Sequence, residues 1–199
     1  YGIYVAPEKQ TDGKWSVRIE NTVRYDAELP ENKVFRVKNE IFDREGKLVA
    51  STRSEGAVNA YDKTTLVTSA TVADPRLWDI DDPYLYTCRT TVFDGEEAVD
   101  CDEVRFGFRT VEMTPDKGLF LNGRHILLQG VCGHEIFGLL GRACPDNISR
   151  EKILTVKEMG ANAFRMSHYP QSPVLMDACD EYGLLVMDET RWFESTDEG

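Results

Sequence analysis

Residues up to about 110 alternate apolar and polar with period two, whereas residues from 118 onward switch between short apolar runs and helical spacing. These two patterns predict a multidomain chain: an all-β sandwich over residues 1–110, then α/β units of the kind that feed a parallel sheet over residues 111–199. The composition suits folded domains throughout, with 41% hydrophobic and 29% charged residues in 199 and a mean hydropathy of −0.41. No internal repeat or low-complexity stretch interrupts either half.

In the first half Trp15, Val17 and Ile19 share one strand face. Phe35, Val37 and Ile41 share another, with Asn39 among them, and that strand runs into Asp43-Arg44-Glu45-Gly46, a turn by composition. Leu66, Ala70 and Val72 continue the alternation. Tyr84, Tyr86, Cys88 and Val92 lead to an Asp94-Gly95 turn, and Val104, Phe106 and Phe108 follow it. Six or seven short strands in about 110 residues, without a helical period, predict an antiparallel sandwich of immunoglobulin-like type.

The second half opens, on this reading, with Ile126-Leu127-Leu128 as a strand buried on both faces. A loop with Gly130, Gly133, Gly138, Gly141 and Pro145 leads to a helix near 149–159, in which Ile153, Val156 and Met159 line one face and Gly160 stands at the stop. Ala163-Phe164-Arg165-Met166 is the second strand. A helix from Pro173 turns Val174, Leu175, Ala178, Cys179 and Tyr182 to one side and ends at Gly183, and 184–187 is the third strand. A (β/α)8 barrel takes about 250 residues, roughly 31 per unit. Residues 111–199 therefore predict the first third of such a TIM barrel, with Glu194-Ser195-Thr196-Asp197-Glu198-Gly199 starting the next helix.

Charge and cysteine usage narrow the function classes. The formal net charge of −12 opposes binding to phosphate backbones and anionic membranes, so neither nucleic acid nor membrane is an expected partner. No apolar run approaches the roughly 18–20 residues that span a bilayer. The five cysteines, Cys88, Cys101, Cys132, Cys144 and Cys179, are sparse, odd in number and without a Cys-x-x-Cys pair. They predict a reduced set and a cytoplasmic location, and lack zinc-site spacing. The strand-like start at Tyr1 is read as a cut through a longer protein.

In parallel α/β architectures chemistry gathers beyond the carboxyl ends of the strands. Those ends here carry Gly133-His134-Glu135, Arg165-Met166-Ser167-His168-Tyr169-Pro170 and Asp188-Glu189. Two of the three histidines, His134 and His168, occupy matched positions, which favours a site over isolated structural residues; His125 precedes the first strand and reads as surface. Arg165 is either the ion-pair partner of Asp188 or the holder of an active-site carboxylate. Asp188 and Glu189 cannot be the paired carboxylates of a glycosidase, because consecutive strand residues point to opposite faces. A Cys132–His134 thiol nucleophile has only adjacency behind it. The chain lacks Gly-x-Ser-x-Gly, Walker A and Gly-x-Gly-x-x-Gly, the defining features of esterase and nucleotide sites.

Residues 123–135 (Gly-Arg-His-Ile-Leu-Leu-Gln-Gly-Val-Cys-Gly-His-Glu), 157–170 (Lys-Glu-Met-Gly-Ala-Asn-Ala-Phe-Arg-Met-Ser-His-Tyr-Pro) and 179–189 (Cys-Asp-Glu-Tyr-Gly-Leu-Leu-Val-Met-Asp-Glu) together resemble glycoside hydrolase family 2. That family holds the β-galactosidases, β-glucuronidases and β-mannosidases. Leu77-Trp78, Pro83-Tyr84-Leu85-Tyr86, Gly107-Phe108-Arg109-Thr110 and Leu119-Phe120-Leu121-Asn122-Gly123 resemble the end of its immunoglobulin-like domain and the lead into its barrel. The likeness covers essentially the whole chain.

The resemblance implies a retaining glycosidase that works through two glutamates, an acid/base after the fourth barrel strand and a nucleophile after the seventh. Neither falls in this chain, which is therefore expected to be inactive alone. His134 and His168 match histidines that contact the sugar and its transition state, Arg165 matches the arginine that orients the nucleophile, and Asp188 lies at a strand end lining the pocket. The resemblance implies no cofactor. Some β-galactosidases of the family hold magnesium shortly after the Asp-Glu of strand three, but Thr190-Arg191-Trp192-Phe193-Glu194 does not keep that spacing, so Glu194 is not assigned as a metal ligand. The loop from Gly133 to Gly141 is more similar to β-galactosidases, whereas Ser167-His168-Tyr169-Pro170 occurs in β-galactosidases and β-glucuronidases alike. The implied substrate is a terminal β-D-galactoside, with a β-glucuronide as the alternative.

A different class stays open at this point. Trp15, Trp78, Tyr84 and Tyr86 are either core residues or the exposed aromatics of a non-catalytic carbohydrate-binding module. A barrel stub with open sheet edges also predicts a homo-oligomeric contact.

Overall fold

The computed structural model of the chain describes residues 2–26 and 31–189. The expected helix start at 194–199 and the run from Thr190 to Glu194 lie outside the described residues. The chain divides into two compact units: Tyr1–Leu77 with Tyr84–Thr110, and Trp78–Pro83 with Val111–Gly199.

The first unit is a two-sheet antiparallel sandwich of immunoglobulin-like type. Its described strands are β1 (Ile3–Lys9), β2 (Trp15–Tyr25), β3 (Lys33–Phe42), β4 (Leu48–Val58), β5 (Asp62–Val72), β6 (Tyr86–Asp94) and β7 (Glu97–Phe106). They form the sheets β1-β2-β5 and β4-β3-β6-β7. The period-two pattern turns Trp15, Val17, Ile19, Phe35, Val37 and Ile41 inward as the sequence predicts. Trp15, Tyr84 and Tyr86 are buried, with Trp15 edge-on to Phe108 at 5.4 Å and Tyr86 edge-on to the same ring at 4.9 Å. They are core, as is Trp78 in the second unit, so the carbohydrate-module reading loses all four of its aromatics.

That core is split in two by a polar layer. Along β2, Ile19 belongs to one apolar cluster and Val23 to the other, with Asn21 between; Ile41, Asn39 and Val37 on β3 repeat the arrangement, as do Cys88, Thr90 and Val92 on β6. Asn39 is wholly buried. Its Nδ2 donates to Asn21 Oδ1 at 2.8 Å, its Oδ1 accepts from Thr90 Oγ1 at 2.6 Å, and Asn21 Nδ2 donates to Thr90 Oγ1 at 3.1 Å. The hydroxyls of Thr52 and Thr68, 2.9 Å apart, each lie 3.3 Å from Asn39 Nδ2. Five strands from both sheets thus meet at one amide. A one-residue slip of β3 would expel Asn39 and bury Lys38 or Glu40, so the network reinforces the register that the apolar pattern selects.

The second unit begins with a three-stranded antiparallel meander, β8 (Val111–Thr114), β9 (Gly118–Leu121) and β10 (Arg124–Ile126). A parallel sheet follows: β11 (Gly130–Gly133), α1 (Asp146–Glu158), β12 (Ala163–Met166), α2 (Pro173–Tyr182) and β13 (Leu185–Met187), in the order β11-β12-β13. The expectation that 126–128 is the first parallel strand is corrected. Ile126 closes the meander, Leu127 and Leu128 are 70% and 45% exposed, and the strand lies at Gly130–Gly133. Hydrophobicity misled because β11 needs small residues instead: a Cβ on Gly130 would lie 2.2 Å from the Ala163 carbonyl oxygen.

The helices are punctuated as expected. Ser172 caps α2, its Oγ accepting from the Val174 N–H at 3.3 Å, Pro173 fills the first turn, and Gly183 stops the helix at φ 74°. On α1, Ile153 and Val156 face inward, but Met159 is 70% exposed, because it sits at the C-cap where the helical face has already turned away. Ile153, Val156, Phe164, Met166, Leu175, Ala178, Cys179 and Leu184 form this unit's own core. Burial pushes the Cys179 thiol up to about 12, and the Cys88 thiol of the sandwich up to about 11, so both behave as apolar packing groups.

The segment Trp78–Pro83 is bound into the second unit by polar ties. Trp78 is buried; its Nε1 donates to the Asp180 carbonyl at 2.8 Å and its own carbonyl accepts from Asn122 Nδ2 at 3.0 Å. Lys157 Nζ donates to the carbonyls of Ile80 and Gly183 at 2.6 and 3.0 Å.

In the sandwich, Asn39→Ala removes the donor to Asn21 Oδ1 and the acceptor of the Thr90 hydroxyl, while the Asn21–Thr90 bond remains. Leaving a buried polar group unpaired costs about 1–3 kcal/mol each. A clear fall in the urea midpoint is expected; an unchanged midpoint would show that the polar layer contributes nothing to stability.

Candidate functional site

The carboxyl ends of β11, β12 and β13 carry the polar residues singled out from the sequence, and the register explains which of them meet. Cys132 pairs with Arg165, and Arg165 with Met187. Paired residues of a parallel sheet face the same side, so period two places His134, Arg165 and Glu189 on one face. His168 follows one residue beyond Ser167, past the end of β12.

Glu189 is the centre of the cluster. One carboxylate oxygen, Oε1, pairs with the Arg165 guanidinium, and the other, Oε2, lies 3.3 Å from His168 Nδ1. A carboxylate can only accept, so this contact places a proton of the imidazole on Nδ1. The His134 ring stands edge-on to His168 at 5.3 Å and to Tyr169 at 6.3 Å, and Arg142 lies over the other ring of this group, Tyr169, at 5.3 Å.

His134, Arg165 and His168 therefore come together, and Asp188 does not. Asp188 is exposed, and its Oδ1 accepts from the Glu189 backbone N–H at 2.9 Å. The partner of Arg165 is the neighbouring acid, Glu189, so the expected Arg165–Asp188 ion pair is corrected. The physical reason is strand parity: Asp188 lies one residue off the face that Arg165 and Met187 share.

The histidine-bearing loops are fixed by ties that the sequence reading did not single out. The Gly133 carbonyl accepts from the Ser167 N–H at 3.2 Å and from Gln171 Nε2. Lys152, on α1, donates to the His134 carbonyl. The Glu135 N–H donates to Tyr169 Oη at 3.1 Å, while the Glu135 carboxylate accepts from the Ser172 N–H at 3.0 Å, at the start of α2. Burial pushes the Lys152 amine below the usual lysine range, with Cys144 and Glu135 pulling the other way. The signal that could have found Glu189 is the shared parity with Arg165; nothing local marks Lys152, Glu135 or Gln171, whose bonds to His134, Ser172 and Gly133 span 18 to 38 residues of chain.

Chemically the cluster presents polar hydrogen-bonding side chains around a carboxylate already neutralised by a guanidinium. Retaining glycoside hydrolysis needs two carboxyl groups about 5–5.5 Å apart. Asp188 and Glu189 do not form such a pair. The arrangement suits orientation of a polyhydroxylated ligand.

Comparison with known proteins agrees in both halves. Residues 1–109 match the family model for glycosyl hydrolases family 2, and residues 111–196 the model for the TIM barrel domain of the same family. A β-galactosidase of Bacteroides ovatus, BoGH2A, is 38% identical over 95% of this chain, which spans 22% of that protein. A putative β-glucuronidase of Formosa agariphila is 38% identical over 85% of the chain, matched to 16% of its own length. The crystal structure of a β-glucuronidase from Bacteroides uniformis superposes with a TM-score of 0.88 at 30% identity, over 95% of this chain and 23% of that one. The chain thus spans less than a quarter of each of these relatives. With both halves matched, in order, over nearly all its residues, the chain belongs to glycoside hydrolase family 2, as an immunoglobulin-like domain and the start of the catalytic TIM barrel.

Proposed function

We propose that the chain serves a retaining glycosidase that releases terminal β-D-galactosides, and that His134, Arg165 and His168, organised by Glu189, form the wall of its sugar site. The observation that carries this reading is the convergence of these side chains, from separate parallel strand ends, around one carboxylate. The loop from Gly133 to Gly141 and the similarity to BoGH2A favour a galactoside. The Formosa and Bacteroides uniformis relatives favour the second reading, a β-glucuronide.

In this reading the wall residues bind and orient, while protonation of the leaving group and attack on the anomeric carbon belong to two carboxylates supplied by the rest of the barrel. Arg165 compensates carboxylate charge and His168 offers its ring to a substrate hydroxyl. Such contacts raise kcat only where they strengthen in the transition state. The chain acts in the cytoplasm and, by itself, turns over no substrate.

A homo-oligomeric contact is part of the same proposal. Among the described residues β11 and β13 each have a single strand neighbour, and Val131 and Met187 are exposed on the sheet. Size-exclusion chromatography with light scattering is expected to show the 199-residue chain as a dimer or larger. A monomer at all concentrations would remove this part.

The assay that tests the main reading compares aryl β-D-galactoside with aryl β-D-glucuronide in the full-length enzyme, and Glu189→Gln and His168→Ala with the parent. Preference for the galactoside is expected, as is a fall in kcat exceeding the rise in KM for both variants, of about tenfold or more if placement of the wall is lost. Preference for the glucuronide would replace the substrate, and unchanged kcat in both variants would overturn the role of the cluster.

A further inference from the structure

One buried amide touches both histidine-bearing strand ends. Gln171, 8% exposed, donates through Nε2 to the carbonyl of Gly133, the residue before His134, and to the carbonyl of Ser167 at 3.4 Å, the residue before His168. The same Gly133 carbonyl takes the Ser167 N–H at 3.2 Å, so the two strand ends and the amide close a small ring of hydrogen bonds.

The amide is held there at a cost. Its Oε1 is buried and has no hydrogen-bond partner among the described residues, a condition most buried polar atoms avoid. An apolar side chain of similar length would fill the space without that penalty. What an apolar side chain could not do is hold two carbonyls, from two strands, at a set distance from one another. Those carbonyls belong to the peptides that lead directly into the two histidines, whose rings are 5.3 Å apart.

We infer that Gln171 is a positioning residue of the reaction, setting the separation of His134 and His168 through the carbonyls that precede them. Its amide bonds are to backbone carbonyls, so it acts through the histidines, and the inference rests on the reading of the two histidines as sugar-contacting groups. Lys152 assists from the other side by holding the His134 carbonyl, and Glu135 by anchoring the same loop to the start of α2.

The test uses the full-length enzyme, with kcat referred to active sites titrated by a mechanism-based inactivator, so that variants folding in poor yield still report. Gln171→Met keeps the length and removes both donors; Gln171→Asn keeps an amide that falls one methylene short. Each is expected to lower kcat about tenfold, since misplacement of a site by about 1 Å costs up to about a hundredfold, with a smaller change in KM. In a His134→Ala/His168→Ala background the same substitutions should change kcat by less than about twofold, because a residue acting through the histidines has nothing left to position. An equal loss in both backgrounds would show a merely structural role and overturn the inference, as would an unchanged kcat in both single variants. Unchanged kcat and KM in the double-histidine variant would overturn the reading of the site, and the inference with it.

Discussion

The close approach of β11 to β12 is the constraint from which the site follows. A Cβ on Gly130 would lie 2.2 Å from the Ala163 carbonyl oxygen, and one on Gly133 would lie 2.9 Å from the Phe164 ring. Glycine at 130 lets the two backbones lie this near, and glycine at 133 leaves room for the Phe164 ring. Asn162 secures the lower ends: its Oδ1 accepts from the Gln129 N–H at 2.8 Å, its Nδ2 donates to the Leu127 carbonyl at 2.9 Å, and its own carbonyl takes the Leu185 N–H at 2.9 Å. Gln171 secures the upper ends. With both margins tied, His134 meets His168 edge to face, and Glu189, two residues beyond Met187, reaches Arg165.

The sandwich solves a related problem with the same means. An apolar core discriminates poorly between neighbouring arrangements of β-branched and aromatic side chains, whereas a buried amide has directional requirements. Asn39 in the sandwich and Asn162 and Gln171 in the barrel units each place one amide where several strands must agree on register. Each unit also has its own apolar core, so the stability of the sandwich and the geometry of the site rest on different residues.

What the sequence revealed depended on whether the signal was local. Pro173 and Gly183 marked α2, Trp15, Val17 and Ile19 marked the inner face of β2, and Phe164 and Met166 marked β12, because capping and periodicity are written in neighbouring residues. β11 escaped because its four residues, Gly-Val-Cys-Gly, answer to the backbone of β12 and not to an apolar environment. His134, Arg165 and His168 were legible as strand-end residues. Choosing Glu189 over Asp188 required the pairing of Arg165 with Met187, and pairing between strands separated by a helix is not written locally. The membership of Trp78–Pro83 in the second unit is hidden for the same reason: its partners are Asn122, Lys157 and Asp180, between 43 and 102 residues away in pairs the chain brings together only on folding.

The claim that the two histidine loops are tied to one another, and are not independent loops, is tested most directly by amide hydrogen exchange on the chain itself. The Ser167 N–H, bonded to Gly133, and the Glu135 N–H, bonded to Tyr169, report the two ties separately. The account predicts that both exchange slowly, with protection close to that of the β12 amides within the sheet. Exchange of both at the rate of an open loop, while β12 remains protected, would contradict it.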